Sequence, residues 1–179
     1  MTRARDLANL GDNAATLEKQ GLTLINTTTV TTSGSFSLSA NTFSSTYTNY
    51  RIIGRFAPST SAYITFRLRT GSTDAETNYV YQYTRSNAQG VSANAGTLTE
   101  GYFTMQTYST AAVFSFDIFS PNVATPTIFL GNDSEISTTT VTLHNTYTYH
   151  NTSTAYDSIT IIPSTGTVTG TVQVYGYNK

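Results

Sequence analysis

The sequence predicts an all-β fold, a two-sheet antiparallel β-sandwich of the jelly-roll type, preceded by a short N-terminal arm or helix. Two observations lead to this fold class. Threonine makes up about one residue in five, and its β-branched side chain favours the extended backbone of a strand. From Leu22 onward, short stretches of alternating apolar and polar residues follow one another with turn residues between them.

Residues 1–21 differ in composition from the rest and form the first predicted unit, an arm or short helix for assembly or anchoring. A 3-4-3 spacing, typical of the a and d positions of a short coiled seam, marks four candidate assembly residues: Leu7, Leu10, Ala14 and Leu17. The Gly11–Asp12 pair interrupts this spacing, so an extended arm with two helical turns is equally consistent with it. A turn folded back on the chain's own domain is a further alternative. A helix this short is marginal in water, so each alternative needs a partner surface.

Residues 22–179 form the second predicted unit, the β-sandwich domain. Many short strands without helices between them favour a sandwich over a βαβ fold, and the absence of a fixed repeat argues against a propeller or solenoid. The predicted strands are 50–56, 63–69, 79–83, 102–105, 113–119, 127–130, 141–149, 158–162 and 171–177.

Side chains alternate between the two faces of a strand, so the apolar set of each strand is predicted to face the core. The predicted core is Ile52, Phe56, Ile64, Phe66, Leu68, Phe114, Phe116, Ile118, Ile128, Leu130, Val141, Leu143, Ile159, Ile161, Val172 and Val174.

Composition argues against several classes of function. The net charge is -1 and the pI is about 6.0, so no basic field attracts nucleic acid or anionic lipid, and we expect no nucleic-acid partner. No run of 18 apolar residues occurs and no apolar segment follows the basic N-terminus, so we expect neither a membrane span nor Sec export. Cysteine is absent, which excludes disulfides and thiolate chemistry.

Titratable residues give little indication of catalysis. His144 and His150 would share one strand face about 20 Å apart, too far to bind one metal ion, and are interpreted as surface or hydrogen-bonded structural histidines. No Gly-x-Ser-x-Gly elbow is present to position a serine nucleophile. The carboxylate pairs Asp74/Glu76 and Asp133/Glu135 are close enough in sequence for Ca²⁺, although loop carboxylates without further acidic ligands are usually solvated. The prediction is therefore no enzyme, no cofactor and no metal site.

Two residue types indicate contact surfaces. Arg51, Arg55, Arg67 and Arg69 lie on two neighbouring predicted strands. If these strands pair, the four arginines form a basic stripe that can bind the carboxylates of a partner subunit. The alternative is a solvated face with local ion pairs to Asp117 or Glu100. The sequence also has 13 tyrosines, and those where predicted strand edges meet loops suit a protein interface or a sugar platform. They are Tyr79, Tyr81, Tyr83, Tyr147, Tyr149, Tyr175 and Tyr177. Structural tyrosines at the sandwich rim are the alternative.

The C-terminal segments 158–166 and 170–177 (SITIIPSTG and GTVQVYGY) resemble the closing hairpin of virion structural proteins of tailed bacteriophages, including marine and cyanobacterial ones. The stretches 49–53, 64–69 and 116–121 and the N-terminal segment 3–10 (RARDLANL) are similar to the same group. The resemblance implies a virion location and a non-enzymatic structural role, and it supplies no catalytic residue.

Within that resemblance we expect a capsid-decorating or cement protein that contacts the major capsid protein or other virion proteins. The stripe of Arg51, Arg55, Arg67 and Arg69 is then expected at a subunit or capsid contact. Closed symmetry and the threefold positions of capsids and fibres favour a homotrimer. The alternative is a short tail or head fibre protein whose β-sandwich tip binds host polysaccharide. An enzyme such as a depolymerase fragment is disfavoured, because the sequence shows no acid–base constellation.

Overall fold

The structure, a computed structural model, describes residues 21–107, 111–136 and 139–178. These ranges contain strands and no helix, so none of their segments is a helix that could span a membrane. The predicted assembly residues Leu7, Leu10, Ala14 and Leu17 lie outside the described residues, as does the rest of the predicted arm up to residue 20. The strands are β1 Leu22–Ser33, β2 Phe36–Ser37, β3 Asn49–Pro58, β4 Ala62–Thr70, β5 Thr73–Asp74, β6 Tyr79–Asn87, β7 Gly90–Leu98, β8 Gly101–Thr107, β9 Ala111–Phe119, β10 Thr127–Ile136, β11 Val141–His150, β12 Ser158–Pro163 and β13 Val168–Tyr177.

The strands form two antiparallel sheets, as the sequence predicts. The large sheet has the order β1-β13-β3-β9-β10-β11-β6-β7. The small sheet has the order β2-β12-β4-β5, with β8 also paired with β4. In both sheets, every pair of neighbouring strands in the described ranges is antiparallel.

Aromatic rings from both sheets fill the centre of the sandwich. Phe66 of β4 lies 4.5 Å from Phe103 of β8 and 4.2 Å from Phe129 of β10, measured between ring centroids. Phe103 stacks at 4.6 Å on Phe114 of β9. All four rings are at most 1% exposed, and such pairs add to the free energy gained by burial alone. This aromatic cluster joins the small sheet to the middle of the large one.

The predicted core is confirmed on β3, β4, β9, β12 and β13. Its buried members are Ile52, Phe56, Ile64, Phe66, Leu68, Phe114, Phe116, Ile118, Ile159, Ile161, Val172 and Val174.

The predicted core is wrong on β10 and β11, where the alternation is inverted. Leu130, Val141 and Leu143 are 52%, 55% and 53% exposed, and Ile128 lies on the same outward set of positions. On both strands the residues that face the core are instead mostly polar, and Phe129 of β10 is the large apolar exception. A period of two was correct for these strands, but the apolar set does not mark the inner face.

Two strands that the sequence patterns do not predict lie at the edges of the large sheet. β1 pairs with β13 at one edge, and β7 pairs with β6 at the other. In β7 the first six residues, GVSANA, are all exposed. A solvated edge strand has no need of an apolar face, so the alternation that marks buried strands is missing there.

Candidate functional site

Polar side chains occupy the inner face of the large sheet where the aromatic core ends. On β10, Phe129 is the last apolar residue that faces inward, and Asp133 and Glu135 follow it on the same face. On β11 every second residue is buried and polar: Thr142, His144, Thr146, Thr148 and His150. Buried polar groups are costly unless they are hydrogen-bonded or paired. This part of the interior therefore serves a purpose other than hydrophobic packing.

Asp133, Glu135 and His144 come together in what we call the acid–imidazole cluster. The Nδ1 atom of His144 lies 3.0 Å from Oδ2 of Asp133 and 3.7 Å from Oε1 of Glu135. The two carboxylates have no exposed side-chain surface, and the His144 side chain is 2% exposed. One ligand atom from each residue lies within 4.8 Å of the other two. Two acids and an imidazole thus converge in a site shielded from water.

Strand register assembles this cluster. Asp133 of β10 is the direct cross-strand partner of His144 of β11, and Glu135 follows two residues later on the same face. The sequence marks Asp133/Glu135 as a carboxylate pair but predicts a loop there, whereas the structure places both residues inside β10. The contribution of His144 was missed, since it depends on the pairing of β10 with β11.

A cavity of about 240 Å³ lies beside the cluster, and Glu135 and His144 form part of its lining. We call it the tyrosine groove. Tyr83 stacks on Tyr81 with 6.1 Å between ring centroids and meets His144 edge-on at 5.6 Å. Tyr81 also meets Tyr102 edge-on at 5.2 Å. The other lining residues are Tyr63, Arg85 and Asn94.

The groove lies where β8 of the small sheet approaches β6 of the large sheet. The contact between Tyr81 and Tyr102 joins these two strands, and burial raises the pKa of Tyr102 to about 12, helped by the nearby Tyr81. Tyr102 is therefore neutral at ordinary pH and can donate a hydrogen bond. The sequence draws attention to Tyr81 and Tyr83 as strand-end tyrosines, but no pattern in it shows that they meet Tyr102 across the two sheets.

His150 has a structural environment distinct from that of His144. Its Nε2 donates to the backbone carbonyl of Thr77 at 3.1 Å, and its Nδ1 lies 3.3 Å from the hydroxyl of Tyr156. Burial lowers the pKa of His150, although the hydrogen bond to Thr77 opposes that shift. A neutral imidazole that donates through one nitrogen and accepts through the other satisfies both contacts. The interpretation of a hydrogen-bonded structural histidine fits His150.

The four arginines do not form one stripe. Arg51 and Arg55 lie on β3 of the large sheet, and Arg67 and Arg69 lie on β4 of the small sheet, so the condition that the two strands pair is not met.

Three of these arginines form local ion pairs. Arg51 binds both carboxylate oxygens of Asp117, at 2.7 and 2.8 Å. Arg67 lies 2.8 Å from Glu76 and 3.6 Å from Glu100, and Arg69 lies 2.7 Å from Asp74. The alternative of local pairs to Asp117 or Glu100 fits Arg51 and one contact of Arg67, whereas the pairs with Glu76 and Asp74 were not predicted. A role in a subunit or capsid contact stays a prediction.

Five partly exposed apolar side chains lie on the surface opposite the acid–imidazole cluster. We call it the outer face, and it consists of Leu130, Val141, Leu143, Tyr147 and Val80. Leu130 is the direct partner of Tyr147 across β10 and β11, and all five side chains are between 40% and 55% exposed. Depressions of about 320 and 280 Å³ lie on this side of the sheet, with Asn132 and Asn145 in the lining of both.

No family model and no curated protein matches this chain.

Proposed function

We propose that the chain is a non-enzymatic structural component of a tailed-phage virion, a capsid-decorating or cement protein with a jelly-roll-like sandwich. The observation that carries this proposal is the outer face, an apolar surface on strands whose inner face is polar. The resemblance of segments 3–10, 158–166 and 170–177 to phage virion proteins supports the virion location. The side chains of Asp133 and Glu135 are fully buried, which is unsuited to contact with a bulky substrate.

Covering the outer face with a partner would be favourable. Each Å² of apolar surface removed from water contributes roughly 25 cal/mol. Asn132 and Asn145 are paired with each other across β10 and β11 between the apolar side chains, and a mixture of apolar and amide groups is typical of interfaces between proteins that fold separately. We therefore propose the major capsid protein as the partner of the outer face.

Self-association into a homotrimer is the second part of the proposal. The chain has a net charge of -1 and only 11% charged residues, so charge repulsion between copies is weak. β1 begins at Leu22 beside Tyr177 at one edge of the large sheet, and the N-terminal arm joins the sandwich there. We propose that this arm contributes to the trimer and to anchoring.

Substitution of the outer face tests the docking proposal. The double variant Leu130→Ser with Leu143→Ser is expected to fold normally and to lose binding to purified capsids. Leu24→Ser is the matched control, because Leu24 is also a half-exposed leucine, 51% exposed, at the far edge of the same sheet. Co-sedimentation measures capsid binding and circular dichroism measures folding. Capsid binding by the double variant equal to that of Leu24→Ser would refute docking through the outer face.

Deletion of residues 1–21 tests the arm. We expect the truncated protein to keep its β-structure, because sheet pairing starts at Leu22, and to fail to join particles. Light scattering of the full chain and of the truncated chain reports whether a trimer forms and whether the arm is needed for it. Normal incorporation of the truncated protein would contradict the anchoring role.

A fibre protein that binds host polysaccharide is the second candidate, and the tyrosine groove favours it. Aromatic rings beside Arg85 and Asn94 offer stacking surfaces and hydrogen-bond donors of the kind that sugars use. Binding to host surface glycans that is lost in Tyr83→Ala and retained in Tyr147→Ala would support this candidate. Quantification of copies per virion separates the two, because a decorating protein follows the number of capsid subunits and a fibre does not.

A further inference from the structure

We propose that Asp133, Glu135 and His144 form a binding site for one divalent metal ion, with Zn²⁺ as the preferred ion. The site is built from two neighbouring strands and requires no loop. The sequence alone predicts no metal site, because the histidine joins the two carboxylates only through the register of β10 with β11.

The spacing of the donor atoms fits one ion. Oxygen and nitrogen ligands lie about 2.0–2.2 Å from Zn²⁺, so two ligands of a tetrahedral site are about 3.3 Å apart. The distances from Nδ1 of His144 to the two carboxylate oxygens, 3.0 and 3.7 Å, lie on either side of that value. The shorter one is also a hydrogen bond between His144 and Asp133, so an ion bound to Nδ1 takes the place of the proton in that bond, which is released to solvent. All three donor atoms lie within 4.8 Å of one another, so a small side-chain rotation brings them into one coordination sphere.

The charge of the cluster favours a divalent cation. Two carboxylates with no exposed surface carry two negative charges when ionised, and a buried ionised group is costly without compensation. A divalent ion bound by the three side chains supplies two positive charges, which match the two carboxylates.

The donor set indicates which ion is preferred. An imidazole nitrogen with two carboxylate oxygens suits Zn²⁺ and other first-row transition ions, while Ca²⁺ and Mg²⁺ favour all-oxygen sites with more ligands. Three protein ligands leave one coordination position open. The tyrosine groove borders Glu135 and His144, so we place the open position on that side of the cluster.

Metal content and thermal stability of the full chain test the site directly. Protein stripped with a chelator, reloaded with Zn²⁺ alone and passed through a desalting column is expected to retain one ion per chain. Free Zn²⁺ at 100 times its dissociation constant should raise the melting temperature by about 5–10 °C, and Ca²⁺ or Mg²⁺ at the same concentration should raise it far less. Loading with Co²⁺ should give visible absorption bands typical of a four-coordinate site with nitrogen and oxygen ligands.

Two variants and a matched control assign the ligands. His144→Gln and Glu135→Gln should each lose the retained ion and the Zn²⁺-dependent shift in melting temperature. His150→Gln should keep both, since His150 is an equally buried histidine on the same face of β11. Equal Zn²⁺ retention by His144→Gln and by the unmodified chain would overturn the assignment. If the unmodified chain retains no ion and shows no shift with Zn²⁺, the site itself is refuted, and this result does not depend on how the variants fold.

Discussion

Replacing Phe116 and Leu143 separately by alanine tests the inverted alternation of β11, because the sequence pattern places both residues in the core and the structure places only one there. Phe116 is fully buried, and its ring lies 5.3 Å from that of Phe103 and 6.4 Å from that of Phe114. Emptying such an aromatic site costs about 3–5 kcal/mol of unfolding free energy.

The cost expected for Leu143→Ala is much smaller. Complete burial of a leucine side chain contributes about 1.5–3 kcal/mol relative to full exposure, and Leu143 is 53% exposed. Less than half of that contribution is therefore available to lose, and alanine keeps the part due to the β-carbon. We expect a loss of about 1 kcal/mol or less.

Urea unfolding followed by circular dichroism measures both losses, at a protein concentration low enough to keep the chain monomeric, because association would add its own stability. Similar slopes of free energy against urea would show that both variants unfold from equally compact states. A loss for Leu143→Ala as large as that for Phe116→Ala would mean that Leu143 faces the core, and the outer face would then not exist as described.

Three further measurements test other parts of the structure. Burial lowers the pKa of His150 in the folded chain. The contribution of neutral His150 to stability is therefore present above about pH 6.5 and is lost as the pH falls through the folded-state pKa. His150→Gln should remove this part of the pH dependence in urea melts. Gly54→Ala should destabilise the chain by about 1–3 kcal/mol, since an added methyl group meets the Phe114 ring, whereas Gly34→Ala, which has no neighbour within 4 Å, should not. Partial burial raises the pKa of Asp117, but hydrogen bonds from Arg51 and Tyr177 outweigh this effect and leave the pKa lowered. The stability of the chain should therefore fall as the pH drops below about 4, and it should fall less in Asp117→Asn.

Most of the strands could be predicted from the sequence because their packing obeys a simple rule. On β3, β4 and β9 the apolar residues alternate with polar ones and face the core, as Ile52, Phe66 and Phe116 do. That rule needs no knowledge of the neighbouring strands. On β11 it also located the strand, since a period of two is visible whichever face is buried, but it ended β10 at residue 130 whereas the strand continues to Ile136.

The orientation of β10 and β11 could not be predicted in the same way. Hydrophobicity favours an inward Leu130 and Leu143. The opposite arrangement depends on contacts between residues of different strands. Asp133 and His144 are paired only once β10 and β11 are aligned. The acid–imidazole cluster and the tyrosine groove are therefore properties of register and of sheet-to-sheet contact, for which a single sequence carries no local signal.

The polar inner face and the apolar outer face of β10 and β11 both follow from the register of these two strands. A one-residue shift of both strands against their neighbours would exchange the two faces, because side chains alternate with a period of two. That exchange would bury Leu130 and Leu143 and return Asp133 and His144 to water, but it would also expel Phe129, which packs on Phe66 in the aromatic cluster. The observed register gains further stability when the buried carboxylates are compensated and the outer face is covered. A metal ion in the cluster would supply the first condition and a partner protein the second. His144→Gln removes the metal ligand and leaves the outer face intact. The double variant Leu130→Ser with Leu143→Ser alters the outer face and leaves the cluster intact, so metal binding and partner binding can be tested separately.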